Sequence, residues 1–234
     1  MKYGTRKARF ISNLSAYLIA RLAVALVLGT LSSLTAIEPS WAGDLDSQLR
    51  VASREGRTHT VRGLLGAGAN PNATSDFGEN ALYNAARFNH THTVEILIAA
   101  GADVDLSLDD GKTPLMGAAI NCSQKASTSI LSKRPSLNRT DDEGQTALIH
   151  AAESGCVSVV DQLLEMPGID ITIRDNSGRT ALEIASTEAL IEVGGPYSRI
   201  QELLRPHLRQ QPIPTPRKSA QKPLIQGEKA TIRP

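Results

Sequence analysis

The chain reads as an all-α solenoid of about five helix-turn-helix units with β-turn fingers, and three observations lead there. First, Gly78, Gly111, Gly144 and Gly178 recur at intervals of 33, 33 and 34 residues. A fixed period in this range marks stacked units that bury their apolar faces only against their neighbours. Second, each glycine is followed two residues later by a variant of one phrase. The variants are Asn80-Ala81-Leu82-Tyr83-Asn84-Ala85-Ala86, Thr113-Pro114-Leu115-Met116-Gly117-Ala118-Ala119, Thr146-Ala147-Leu148-Ile149-His150-Ala151-Ala152 and Thr180-Ala181-Leu182-Glu183-Ile184-Ala185. Third, large rings are scarce: of eight aromatics in 234 residues, only Phe77, Tyr83, Phe88 and Tyr197 lie beyond the first 42 residues. Thin helical layers filled with Leu, Ile, Val and Ala need few large rings.

Charge and composition divide the chain into three. Residues 1–42 carry an excess of four positive charges, residues 43–206 hold 14 Lys/Arg against 22 Asp/Glu, and residues 207–234 carry an excess of five positive charges. These nearly cancel in the formal net charge of +1. An acidic body argues against nucleic acid as its partner.

The first segment has the three parts of a secretory signal. Lys2, Arg6, Lys7 and Arg9 make a positive start, residues 22–31 an apolar centre, and Ser40-Trp41-Ala42 puts small residues at the third and first places before a cut ahead of Gly43. Arg21 interrupts the apolar run, and the apolar stretch beyond it falls short of the roughly 20 residues that span a bilayer. A cleaved signal is therefore expected, with membrane contact only through an uncleaved leader. Arg6-Lys7 is a poor twin-arginine pair, so the general secretion route is favoured. The last segment, with Pro212, Pro214 and Pro216 among basic residues, predicts a disordered tail.

Within each unit the residues have separable roles. Thr, with Pro in one unit, opens the first helix, the hydroxyl meeting free amides and the ring fixing φ. The Ala-Ala pair keeps one helix face thin. Glycine at the inter-helix turn permits a left-handed backbone. Val94 with Leu97-Ile98, and Val159-Val160 with Leu163-Leu164, form the buried stripe of a second helix. Gly101-Ala102 stops one such helix, and the polar stretch leading to the next glycine becomes a β-turn finger.

These phrases resemble the ankyrin repeat, over roughly Leu45 to Pro206. Departures from its pattern concentrate in the third unit. Cys122 replaces the turn glycine, Ser127 stands on an apolar position, and Arg134-Pro135 replaces Gly-Ala, so a short or tilted second helix is expected there. The fourth unit has one extra residue near Met166-Pro167-Gly168, and the fifth an insertion near residues 192–197, where Gly194-Gly195-Pro196 must break the helix.

The resemblance implies protein binding through finger tips and the concave face of the first helices. On this chain the finger positions are Thr74, Asp76, Phe77 and Glu79; Ser107, Asp109, Asp110 and Lys112; Thr140, Asp142, Glu143 and Gln145; and Arg174, Asn176, Ser177 and Arg179. The helix positions are Arg87-Phe88, Ile120-Asn121 and Glu153-Ser154. Phe77 and Phe88 are the natural anchors, since aromatic rings dominate interface energy; the competing reading is local packing. Asp141 and Asp175 occupy a place that is usually Asp in the family and read as structural. The other acids form a negative rim.

Other chemistries find little support. His59, His90 and His92 lie near one edge, but no Cys or carboxylate completes a tetrahedral metal set. No nucleophile–base–acid set, carboxylate pair or phosphate loop has motif-level spacing, so neither catalysis nor a cofactor or small-molecule substrate is expected. His150 and Cys156 share a repeat without forming a motif. Cys122 and Cys156 fall at nearly equivalent places in adjacent repeats, whose spacing of roughly 10 Å exceeds the Cα separation a disulfide tolerates, so free or weakly coupled thiols are expected. The expectation is a monomeric, non-enzymatic adaptor, exported to the periplasm or secreted, that binds a protein partner. The alternative is a stoichiometric inhibitor or immunity protein whose acidic rim covers the basic cleft of an exported toxin or hydrolase.

Overall fold

The computed structural model describes residues 42–191 and 194–208. The expected leader cut, Glu192-Val193 and the tail from Arg209 onward lie outside the described residues or at their edge. From Leu45 the described residues belong to one compact unit. Among the described residues ten helices form five pairs: α1 (Ala42–Arg54) and α2 (Thr58–Gly66), α3 (Ala81–Arg87) and α4 (Thr91–Ala99), α5 (Pro114–Ile120) and α6 (Gln124–Leu131), α7 (Ala147–Glu153) and α8 (Val157–Leu164), α9 (Ala181–Ile191) and α10 (Pro196–Leu208). None of these is long and apolar enough to cross a membrane.

Two layers result. The first helices stack α3 on α5, α5 on α7 and α7 on α9, while the second helices stack α2, α4, α6, α8 and α10 behind them. The alanine pairs make the front layer thin: Ala85, Ala86, Ala118, Ala119, Ala151 and Ala152 are fully buried. The back layer buries Val61 and Leu64, Val94 and Leu97, Ile130, Val160 and Leu163, and Ile200 and Leu204. All belong to one continuous apolar core.

Caps set the helix starts as the phrase implies. Thr113 Oγ1 accepts from the Met116 N–H, Thr146 Oγ1 from Ile149 and Thr180 Oγ1 from Glu183, each at 3.3 Å. Asn80 substitutes its carboxamide oxygen, at 2.8 Å from Tyr83 N. In the fifth unit Glu183 returns the contact, accepting from the Thr180 N–H at 2.8 Å, which makes a reciprocal capping box. That backbone bond, with Arg174, holds the Glu183 carboxyl below its ordinary 4.5. At the far end α9 stops at Ile191, α10 starts at Pro196, and α10 runs through Pro206 to Leu208.

Two expectations for the third unit are corrected. Its second helix, α6, has eight residues, as many as α8 and one fewer than α4, so any shortening is of a single residue. The polar residue on its buried face is accommodated instead. Ser127 is fully buried and donates to Gln162 Oε1 on α8 at 2.5 Å, while Gln162 Nε2 donates to Thr128 Oγ1 at 2.8 Å. Beyond this pair the ends of α6 and α8 leave an apolar groove of about 850 Å³, lined in part by Leu131, Pro135, Leu137 and Met166.

The second correction is larger. Cys122 and Cys156 form a disulfide, with their Cα atoms 5.0 Å apart. The repeat spacing misleads because the two residues are not quite equivalent. Their separation is 34, one more than the local period, so Cys122 matches Gly155 and Cys156 matches Ser123. Turns between helices step diagonally across the stack: Asn121 Nδ2 and Ser123 Oγ both donate to the Arg87 carbonyl of the preceding unit, 34 and 36 residues back. Cys122 takes φ 51°, the left-handed conformation of the glycine it replaces.

Candidate functional site

The fingers stack on one another through backbone. Asp142 N–H donates to the Asp110 carbonyl at 3.0 Å, and Asn176 N–H to the Glu143 carbonyl at 2.9 Å. Each finger closes at its glycine in a left-handed turn, and at Gly111 the turn also needs the missing side chain. A Cβ there would meet Asp141 Cα at 2.9 Å, backbone that cannot swing aside. The sequence period therefore records a contact between neighbouring fingers as well as a turn.

Inside this stack lies a polar network that spacing alone did not reveal. Lys112 Nζ donates to Asp110 Oδ2 at 2.9 Å and to Glu143 Oε2 at 3.2 Å, and lies 3.7 Å from Asp141 Oδ2. Asp141 Oδ2 also accepts from His150 Nε2 at 2.7 Å, and both of these side chains are buried. Asp141 Oδ1 accepts the N–H groups of Glu143 and Gln145. Burial by itself would lower the Lys112 ammonium, but the hydrogen bonds it donates to Asp110 and Glu143 outweigh it and raise the group above its ordinary 10.5. Burial would likewise raise Asp110, yet hydrogen bonds from Lys112 hold it below 3.8. The signal for this network was present as recurrence: Asp141 and Asp175 open equivalent fingers. Asp175 is buried and accepts from Arg179 through N–H at 2.8 Å and through Nε at 3.0 Å.

Several predicted contact residues are thus tied within the chain. Lys112 is half-buried in the network, and Arg179 is engaged with Asp175. Arg174 pairs with Glu183 at 2.7 Å. Gln145 Nε2 donates to Glu153 Oε2 at 3.1 Å, Asn176 Nδ2 to the Asp142 carbonyl at 2.8 Å, and Asn121 to Arg87. Ser107 and Ile120 are half-buried. Thr74 bridges to Asn80 at the base of its finger.

The two phenylalanines behave differently. Phe88 is 42% exposed, with the Arg54 and Arg87 guanidinium groups 5.7 and 5.8 Å from its ring centre, so its ring is already engaged by two cations. Phe77, at the tip of the first finger, is 78% exposed and flanked by exposed Asp76 and Glu79. Asp109 and Asp142 are exposed on the next two fingers. The arrangement is a ridge of carboxylates with one projecting ring, and Lys112, Arg174 and Arg179 are each paired with a carboxylate of the same chain.

The histidines are dispersed by their partners. His90 Nε2 meets the Arg54 carbonyl at 3.0 Å, and His92 pairs with Glu95 at 3.2 Å. Among the described residues no three His, Cys, Asp or Glu side chains are grouped to hold a metal ion.

Two family models match the chain. One, of ankyrin repeats in three copies, matches residues 49–141, and another, of ankyrin repeats in many copies, matches residues 130–185. No curated protein matches it.

Proposed function

We propose that this chain, which belongs to the ankyrin-repeat family, is an exported, non-catalytic adaptor that captures a protein partner on its finger tips and first-helix face. Ankyrin repeats are generally protein-interaction modules and typically not enzymes. The observation that carries the finer reading is Phe77: a phenylalanine 78% exposed on a finger tip contributes little to folding and is the kind of ring that anchors interfaces. The leader of residues 1–42 supports export.

Phe77→Ala is expected to weaken partner capture from extracytoplasmic extract at least about tenfold while the melting temperature stays within about 1 °C, because surface substitutions away from packing cost little. Undiminished capture by a Phe77→Ala, Phe88→Ala bait would sink the assignment. Export has its own check: amino-terminal sequencing of the secreted or periplasmic protein is expected to begin at Gly43, and a form retaining residues 1–42 would refute the cut.

A second reading, a stoichiometric inhibitor or immunity protein, is favoured by one feature. Lys112, Arg174 and Arg179 are neutralised in ion pairs, and no ion pair among the described residues engages Asp76, Glu79, Asp109 or Asp142. The ridge therefore presents negative charge, suited to a basic cleft. Strong salt dependence of the association rate distinguishes this reading from a mainly apolar anchor at Phe77.

A further inference from the structure

We propose that the Cys122–Cys156 bridge is a site of directional thiol–disulfide exchange, in which an external thiolate of the glutathione class attacks Cys122 and Cys156 is the leaving sulfur. The two ends of the bond are unequal. Cys122 is exposed in the left-handed turn between α5 and α6, whereas Cys156 is 3% exposed beneath it. Exchange requires the nucleophile to approach a sulfur directly, so access decides which sulfur is attacked.

The leaving side is also prepared. Cys156 is the N-cap residue of α8; its sulfur makes no hydrogen bond to the first amides of that helix, and the dipole of the eight-residue helix is what favours negative charge there. Cys122 lies between the carboxyl end of α5 and Ser123, the N-cap of α6, so two opposed helix dipoles act there. The Cys156 Sγ lies 3.1 Å from the Ala119 carbonyl oxygen, which is in place to accept the S–H once the sulfur is protonated. The released thiol therefore has a partner inside the fold, and the first step needs no opening of the core.

The chemistry balances without an oxidant. The external thiolate sulfur forms a bond to Cys122 Sγ, the bond between Cys122 and Cys156 breaks, and its electron pair leaves on Cys156, which takes one proton from water. A second thiol then releases the Cys122 thiol and carries the oxidation away as its own disulfide. The first product places a polar adduct beside Ile120 and Asn121, at the end of α5. This exchange does not depend on which partner the fingers bind.

The test uses the full oxidised chain and reduced glutathione. After brief incubation the reaction is quenched with acid, free thiols are alkylated, and adducts are mapped by peptide mass spectrometry. Glutathione is expected on Cys122 with the alkyl label on Cys156, in excess over the reverse by about tenfold or more. In guanidinium, where both sulfurs are equally reachable, the ratio should fall to about one. Equal or reversed labelling in the folded chain overturns the proposal. So does exchange that proceeds only at the rate of global unfolding, or that does not occur at all.

Discussion

The second and third units share a 33-residue frame but are held by different means. In the second, α4 buries Thr93, Val94 and Leu97, and Asn89 makes the turn in the left-handed conformation. In the third, α6 buries Ala126, Ser127, Ile130 and Leu131, with Ser127 standing where α4 has Val94, and the turn residue is a cysteine bonded to the next unit. Where Ser127 replaces valine, a buried hydroxyl–carboxamide pair satisfies the hydroxyl, and a covalent bond ties the turn to the next unit. The third unit's cohesion then depends on redox state, which the second unit's does not. An oxidising compartment, the one the leader predicts, is where such a bond persists.

The largest break in this comparison should come from removing the bond. With 34 residues separating the cysteines, loop-closure entropy assigns it about 4 kcal/mol. Cys122→Ser with Cys156→Ser should lower the melting temperature by roughly 10 °C. Amide hydrogen exchange should accelerate in α6 and α8 while α4 keeps its protection. Uniform acceleration across all five units would show that the third unit is no weaker than the rest.

A smaller effect belongs to the finger that the second unit hands to the third. Lys112→Met removes the ammonium from among Asp110, Asp141 and Glu143, and should cost about 2 kcal/mol at pH 7, since carboxylates are left facing one another with Asp141 fully buried. The sign with pH follows from the shifts. Asp110 is lowered, so its contribution is complete above its ordinary 3.8 and is lost as pH falls through its folded value. Lys112 is raised, so its contribution is complete below 10.5 and is lost only as pH rises beyond it. Wild-type and variant melting temperatures should therefore converge as pH falls below 3.8. A gap that persists undiminished into acid would mean that Lys112 acts through packing of its stem.

The frame, the caps and the finger glycines were legible in the sequence because each is a local rule repeated at a fixed interval. Thr113, Thr146 and Thr180 cap as their spacing implies. What was not legible depends on diagonal contacts between units. The bond between Cys122 and Cys156 needs the one-residue offset of the turns, and the Lys112 network needs two fingers in register with a helix behind them. Phe77 and Phe88 look alike in sequence; only the positions of Arg54 and Arg87, the former 34 residues before Phe88, separate an engaged ring from a projecting one. Repetition predicts the unit, and the joints between units require the stack.

The finest test exchanges one unit's means for the other's. Ser127→Val with Gln162→Leu replaces the polar pair on α6 and α8 by the apolar contact that α4 uses. Hydrogen bonds in proteins contribute only about 1 kcal/mol net, so replacing both partners together is near neutral, and the added apolar burial should tip it to a gain of up to about 1 kcal/mol. Ser127→Val alone should do worse than the pair, because Gln162 Oε1 then loses its donor at 2.5 Å and Val brings a second branch into a fully packed site. The double-mutant cycle, read by chemical denaturation of the oxidised chain, isolates this coupling. If the double variant is clearly less stable than wild type, the polar pair is a specific fit and Ser127 is no mere gap in the stripe. If it is more stable, the third unit's weakness lies in its stripe, and the disulfide compensates for it.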